Sequence, residues 1–113
     1  MTVLQNFSIP AGNVQDQVFT SPVDVTGDVR FRAYVQDFGC PDPEFAPLIL
    51  KSTLSGDGVE ILSGAKMVRV DFVQADTIGL LRNYYYEIDM VNGGSVVTLF
   101  FGIMTVTQSE NRY

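Results

Sequence analysis

Alternation with a period of two dominates this chain wherever apolar and polar positions separate cleanly. In VRFRAYVQ (29–36), Val29, Phe31, Ala33 and Val35 take one side while Arg30, Arg32, Tyr34 and Gln36 take the other, the signature of a half-buried strand. KMVRVDFV (66–73) repeats it, with Val68, Val70 and Phe72 opposite Arg69 and Asp71. Near the start, Val3, Phe7 and Ile9 interleave with Leu4, Asn6 and Ser8. Turn-forming clusters at 10–12, 26–28, 39–47, 55–58, 63–64 and 92–94 punctuate these runs. Together they predict about eight strands, at 2–9, 16–20, 29–36, 47–53, 58–62, 66–73, 83–91 and 95–107, with room for one helical turn between Ala75 and Leu81. Short strands at such spacing predict an all-β protein, an antiparallel sandwich or barrel.

The last predicted strand breaks the rule. In SVVTLFFGIMTVT, Val97, Leu99, Phe101 and Ile103 fall on one face, yet Val96, Phe100 and Met104 load the other. A strand with one wet face is not apolar on both. A bulge at Gly102 accounts for part of this, but not for adjacent Phe100 and Phe101. Either the strand is central, or another subunit covers its outer face. Val96, Phe100, Phe101 and Met104 are therefore the candidate protein-interface residues, and a dimer or trimer is the simplest closed way to cover them.

Size and charge narrow the picture. The 113 residues suit one domain, 1–113, ending in a short polar tail at 108–113. Seven basic against thirteen acidic residues give a net charge of −6, which repels a phosphate backbone and argues against nucleic acid as a partner. The N-terminal segment lacks the pattern of a secretory signal, and the longest nearly apolar run is too short for a membrane-crossing helix. The sequence thus predicts a protein made in the cytoplasm, with no membrane partner. Cys40 is the single cysteine and there is no histidine, so neither an internal disulfide nor a Cys-His zinc site is expected.

The same composition argues against catalysis. Without histidine the commonest general base is missing, and Cys40 or a serine would depend on Lys51 or Lys66. Glu87 and Asp89 share a strand face, as paired carboxylates of a glycosidase would, but charge pairs with Arg30, Arg32 and Arg69 explain them as well. Asp42 with Glu44, and Asp57 with Glu60, fit solvated loops better than a calcium site, because no calcium-loop pattern is present. No catalytic residue, cofactor or metal is expected.

Two stretches carry a family resemblance. SPVDVTGDVRFRAYV (21–35) resembles the recurrent G-x-P-v-D-l-T-G-a-x-v-x-F opening of small immunoglobulin-like domains in tailed-phage virions, of the baseplate-upper and fibre-associated kind. VEILSGAKMVRVDFVQADTIGLLRNYYYEIDMVNGGSVVTLFFGIMTVT (59–107) is similar in its order of a strand, a d-t-x-x-L turn, a Y-x-Y-e-i strand, a glycine turn and a final strand. The resemblance spans roughly 18–108 and departs from the pattern at Arg82 and in a longer loop around Cys40. It implies an immunoglobulin-like antiparallel β-sandwich of about seven to eight strands. Tyr84, Tyr86, Ile88 and Met90 would face inward, and Tyr85, Glu87 and Asp89 outward, as at the tyrosine-bearing corner of such sandwiches. It further implies a non-enzymatic virion component that contacts other virion proteins at the tail, baseplate, fibre attachment or head surface. The alternative is a carbohydrate-binding module, with Tyr34 and Tyr85 as the exposed rings that meet cell-surface or mucosal glycans.

Overall fold

The computed structural model describes residues 2–12, 14–35, 49–53, 58–62, 64, 66–77 and 82–107. Its elements run β1 (Val3–Leu4), β2 (Phe7–Pro10), β3 (Gln15–Thr20), β4 (Asp28–Val35), β5 (Ile49–Ser52), β6 (Val59–Leu62), β7 (Met67–Phe72), α1 (Gln74–Thr77), β8 (Arg82–Asn92) and β9 (Ser95–Thr107). All eight expected strands are present, the first divided in two at Gln5 and Asn6. The expected helical turn begins one residue early, at Gln74, and its remainder, like the loop around Cys40, lies outside the described residues.

The strands form two sheets. One is ordered β1-β9-β8-β4-β5, with β2 also on β9; the other is ordered β3-β7-β6. Every pairing between named strands is antiparallel except those of β1 and β2 with β9. This is an immunoglobulin-like sandwich in which the first strand has joined the sheet of the last. The β8–β9 hairpin is closed by Gly93 and Gly94, at φ 56° and 90°, between the paired Asn92 and Ser95. Two consecutive positive-φ residues make the tight turn whose twist matches the flanking strands, and glycine adopts it without steric cost.

Between the sheets lies a continuous aromatic core. Phe31 stacks on Tyr86 with ring centroids 5.6 Å apart and meets Phe72 edge-on at 5.3 Å. Phe7 meets Tyr86 at 4.9 Å, and Phe19 meets Phe100 at 5.2 Å. Phe31, Val70 and Phe72, placed inward by alternation, and Tyr86 and Ile88, placed inward by the resemblance to a tyrosine-bearing corner, are all fully buried.

Tyr86 also ties the N-terminal strand down. Its hydroxyl donates to the Gln5 carbonyl, and burial pushes its pKa well above the usual tyrosine range. The chain at Gln5 and Asn6 passes directly over Gly102, where a Cβ would lie 2.5 Å from the Gln5 carbonyl oxygen. Asn6 repairs the interrupted ladder, its Oδ1 accepting the Ile103 N–H at 2.9 Å. Glycine at 102 therefore serves close backbone approach.

A largely buried ion pair joins β5 of the larger sheet to α1. Lys51 Nζ lies 2.9 Å from Asp76 Oδ2, and the Asp76 carboxylate also accepts the Val73 N–H at 2.7 Å.

Candidate protein-contact face

The apolar pattern of β9 is resolved by a bulge, though not at Gly102. Ile88 pairs with Phe100 and Asp89 with Thr98, so Leu99 is the extra residue. The bulge lets consecutive Leu99 and Phe100 both turn into the core, where each is fully buried. Below it, Phe100, Met104 and Val106 face inward, and Phe101, Ile103 and Thr105 face outward. Two of the four interface candidates thus leave the set: Phe100 and Met104 pack inside the domain and have no surface to offer. Val96, 54% exposed, and the half-buried Phe101 remain outside.

The neighbours of Phe101 and Ile103 extend the outer face. Leu4 of β1 lies beside Phe101 in register and is 62% exposed. Across β8 and β4, Ile103 opposes Tyr85, which in turn opposes Tyr34. An apolar band therefore runs across the larger sheet from Leu4 through Phe101 and Ile103 to the two tyrosines. Leu4 could not be assigned to it from sequence, because its place depends on β1 pairing in parallel with β9.

A polar cluster lies alongside. The Arg32 guanidinium joins Glu87 and Asp89, the latter at 2.5 Å, and Thr98 Oγ1 donates to Asp89 Oδ1 at 2.9 Å. The Asp89 side chain is only 1% exposed, although it projects from the sheet's outer side. Arg32 also stands 5.9 Å from the centre of the Tyr34 ring, within cation–π range. The expected pairing of arginines with Glu87 and Asp89 holds for Arg32. Arg69 belongs to the other sheet, where it pairs with Glu60 at 2.5 Å and Asp71 at 2.8 Å. Among the described residues, Arg30 Nε and Arg32 Nε are buried without a hydrogen-bond partner.

Burial first, and the nearby Asp89 charge second, raise the Glu87 pKa against the pull of Arg32. Asp16, facing Asp71 across β3 and β7, is raised as well, by its side-chain hydrogen bond with Asp71 before any other cause. A carboxylate whose folded pKa exceeds its unfolded one stabilises the fold below the unfolded pKa and loses that contribution as pH rises through the folded pKa. The contribution of these two groups to the thermal midpoint should accordingly grow as pH falls from neutrality toward the ordinary carboxylate range. The midpoint difference between wild type and Glu87→Gln should move in the wild type's favour over that interval, and a difference that moves the other way would contradict the assignment.

The arrangement provides a mixed aromatic and aliphatic surface beside two carboxylates held by one arginine. Among the described residues, no group of three or more acidic, cysteine or histidine side chains is placed to hold a metal. Glu60, the described member of the calcium-loop candidates with Asp42, Glu44 and Asp57, is engaged by Arg69. Within the described residues no helix is long and apolar enough to cross a membrane. No family model matches the chain, and no curated protein matches it.

Proposed function

We propose that this protein is a non-enzymatic structural accessory of a tailed-phage virion, attached at the tail, baseplate or fibre or decorating the head, and that it works through protein–protein contact. The observation that carries the contact reading is the exposed Leu4 lying in register beside Phe101 on the outer face of the larger sheet. The virion setting rests on the resemblance of 21–35 and 59–107 to small virion domains. Apolar surface beside carboxylates that Arg32 already holds suits a protein partner, because docking then has less unpaired charge to desolvate. Glycan binding is less well supported: Tyr34 is buried and Tyr85 half-buried, so the two rings do not form an open platform.

The test is incorporation of the Phe101→Ser variant into particles of the phage that encodes the protein, quantified by mass spectrometry. The expected result is a loss of binding of about tenfold or more, the scale of a moderate interface anchor at 1.4 kcal/mol per tenfold, with an unchanged β-type circular dichroism spectrum. Full incorporation of both Phe101→Ser and Leu4→Ser would remove this face from consideration. Selective glycan-array binding that is lost on Tyr85→Ala would replace the reading with the carbohydrate one.

A further inference from the structure

Among the described residues, the smaller sheet has an open edge at β3. Its strand order places β3 outermost, because the N-terminal strand pairs with β9 instead. The Ser21 N–H bonds the Lys66 carbonyl at 2.7 Å in the same register as the β3–β7 pairs. In an antiparallel ladder, hydrogen-bonded and non-bonded pairs alternate. Gln15, Gln17 and Phe19 therefore direct their backbone groups to β7, and Asp16, Val18 and Thr20 direct theirs outward. Among the described residues no strand pairs with that edge, and Asp16, Val18 and Thr20 are all exposed.

We propose that β3 pairs antiparallel with β3 of a second copy of this chain about a twofold axis at Val18, joining the two smaller sheets into one in the order β6-β7-β3-β3-β7-β6. The occupant follows from the side chains in each register the outward groups allow. Centred on Val18, the pairing sets Val18 against Val18 of the second copy and Asp16 against Thr20 of the second copy, a carboxylate facing a hydroxyl that can donate to it. Centred on Asp16, it would set two carboxylates face to face, which is unfavourable. Centred on Thr20 it would oppose Val18 to Pro22, and centred on Phe19 it would oppose Asp16 to Pro22, which has no N–H for the ladder. Centred on Gln17 it would set Asp16 against Val18, which offers the carboxylate no donor. The Val18-centred register thus bonds every outward group of Asp16, Val18 and Thr20 and opposes no like charges. Val18, 42% exposed, contributes apolar area at the axis. The inference is independent of the proposed virion role, since β3 and the Leu4–Phe101 face lie on different sheets.

Analytical ultracentrifugation of the full chain should show a concentration-dependent dimer. Val18→Pro removes an N–H that the ladder to β7 does not use, so the variant should keep the β spectrum and sediment as a monomer. Should it fail to fold, Val18→Asp, which places like charges at the axis, gives the same reading. In a Cys40→Ser background, Val18→Cys should form an intermolecular disulfide under mild oxidation, because directly opposed hydrogen-bonded residues have Cα atoms about 5.5 Å apart, within disulfide reach. A wild-type monomer at the highest soluble concentration overturns the proposal. So does a dimer that survives Val18→Pro or Val18→Asp, and one abolished by Phe101→Ser instead would place self-association on the larger sheet.

Discussion

Phe72→Ala should lower the unfolding free energy by about 3 to 5 kcal/mol, the range for truncating a core aromatic. Phe72 is fully buried at the end of β7, edge-on to Phe31 at 5.3 Å and with its ring centroid 6.0 Å from that of Phe7. Its side chain connects strands of both sheets. Phe31 comes from β4 of the larger sheet, and Phe7 from the N-terminal strand on β9. Truncation removes these ring contacts as well as the transfer free energy, and the interlocked neighbours leave little room for collapse into the void. Urea unfolding followed by circular dichroism would measure it through a lower midpoint at an unchanged slope. A loss below about 1 kcal/mol would show that the rings repack freely and that the core is not the rigid cluster described.

Asp76→Ala should cost about 3 kcal/mol, the scale of breaking a mostly buried ion pair by removing one partner. Lys51 sits on the inward side of an edge strand, with its side chain only 10% exposed, and loses its counter-charge in the variant. The Val73 N–H loses its acceptor at the same time. Removing both charges is a different matter: Lys51→Met combined with Asp76→Leu should recover much of the loss, because neither charge then remains to be desolvated. Comparing the two single variants with the double one in denaturant measures the coupling. Strictly additive losses would mean that the pair does not act as a unit.

The parts of this fold legible in the sequence were those where one rule acts alone. In β4 and β7 the alternation of apolar and polar residues names both faces, and the inward positions of Phe31, Val70 and Phe72 follow directly. The glycine pair at 93–94 likewise marked its hairpin. Legibility ended where distant strands determine the outcome. The bulge at Leu99 is a register shift between β8 and β9 that no local pattern in β9 reveals, and it moved Phe100 and Met104 from a supposed contact face into the core. Gly102 drew attention as the bulge, but its function is to let Gln5 and Asn6 pass close by. Arg69 had the right pairing chemistry in the wrong place, since alternation reports which side of a strand a residue takes and not which sheet the strand joins. Leu4 acquired its position only through the parallel pairing of β1 with β9.

That parallel ladder also determines how the domain bears load. Because β1 and β2 run in the same direction as β9, from Val3 beside Phe100 to Pro10 beside Thr107, the incoming and outgoing chain leave this pair of strands at opposite ends. Tension drawn between Val3 and Thr107 would act along the strands and strain their hydrogen bonds together, whereas an antiparallel terminal pair would unzip bond by bond. The Tyr86 hydroxyl and the Asn6 side chain brace the middle of the same seam. A domain strung between two anchored neighbours would meet the pull in shear, its stiffest direction.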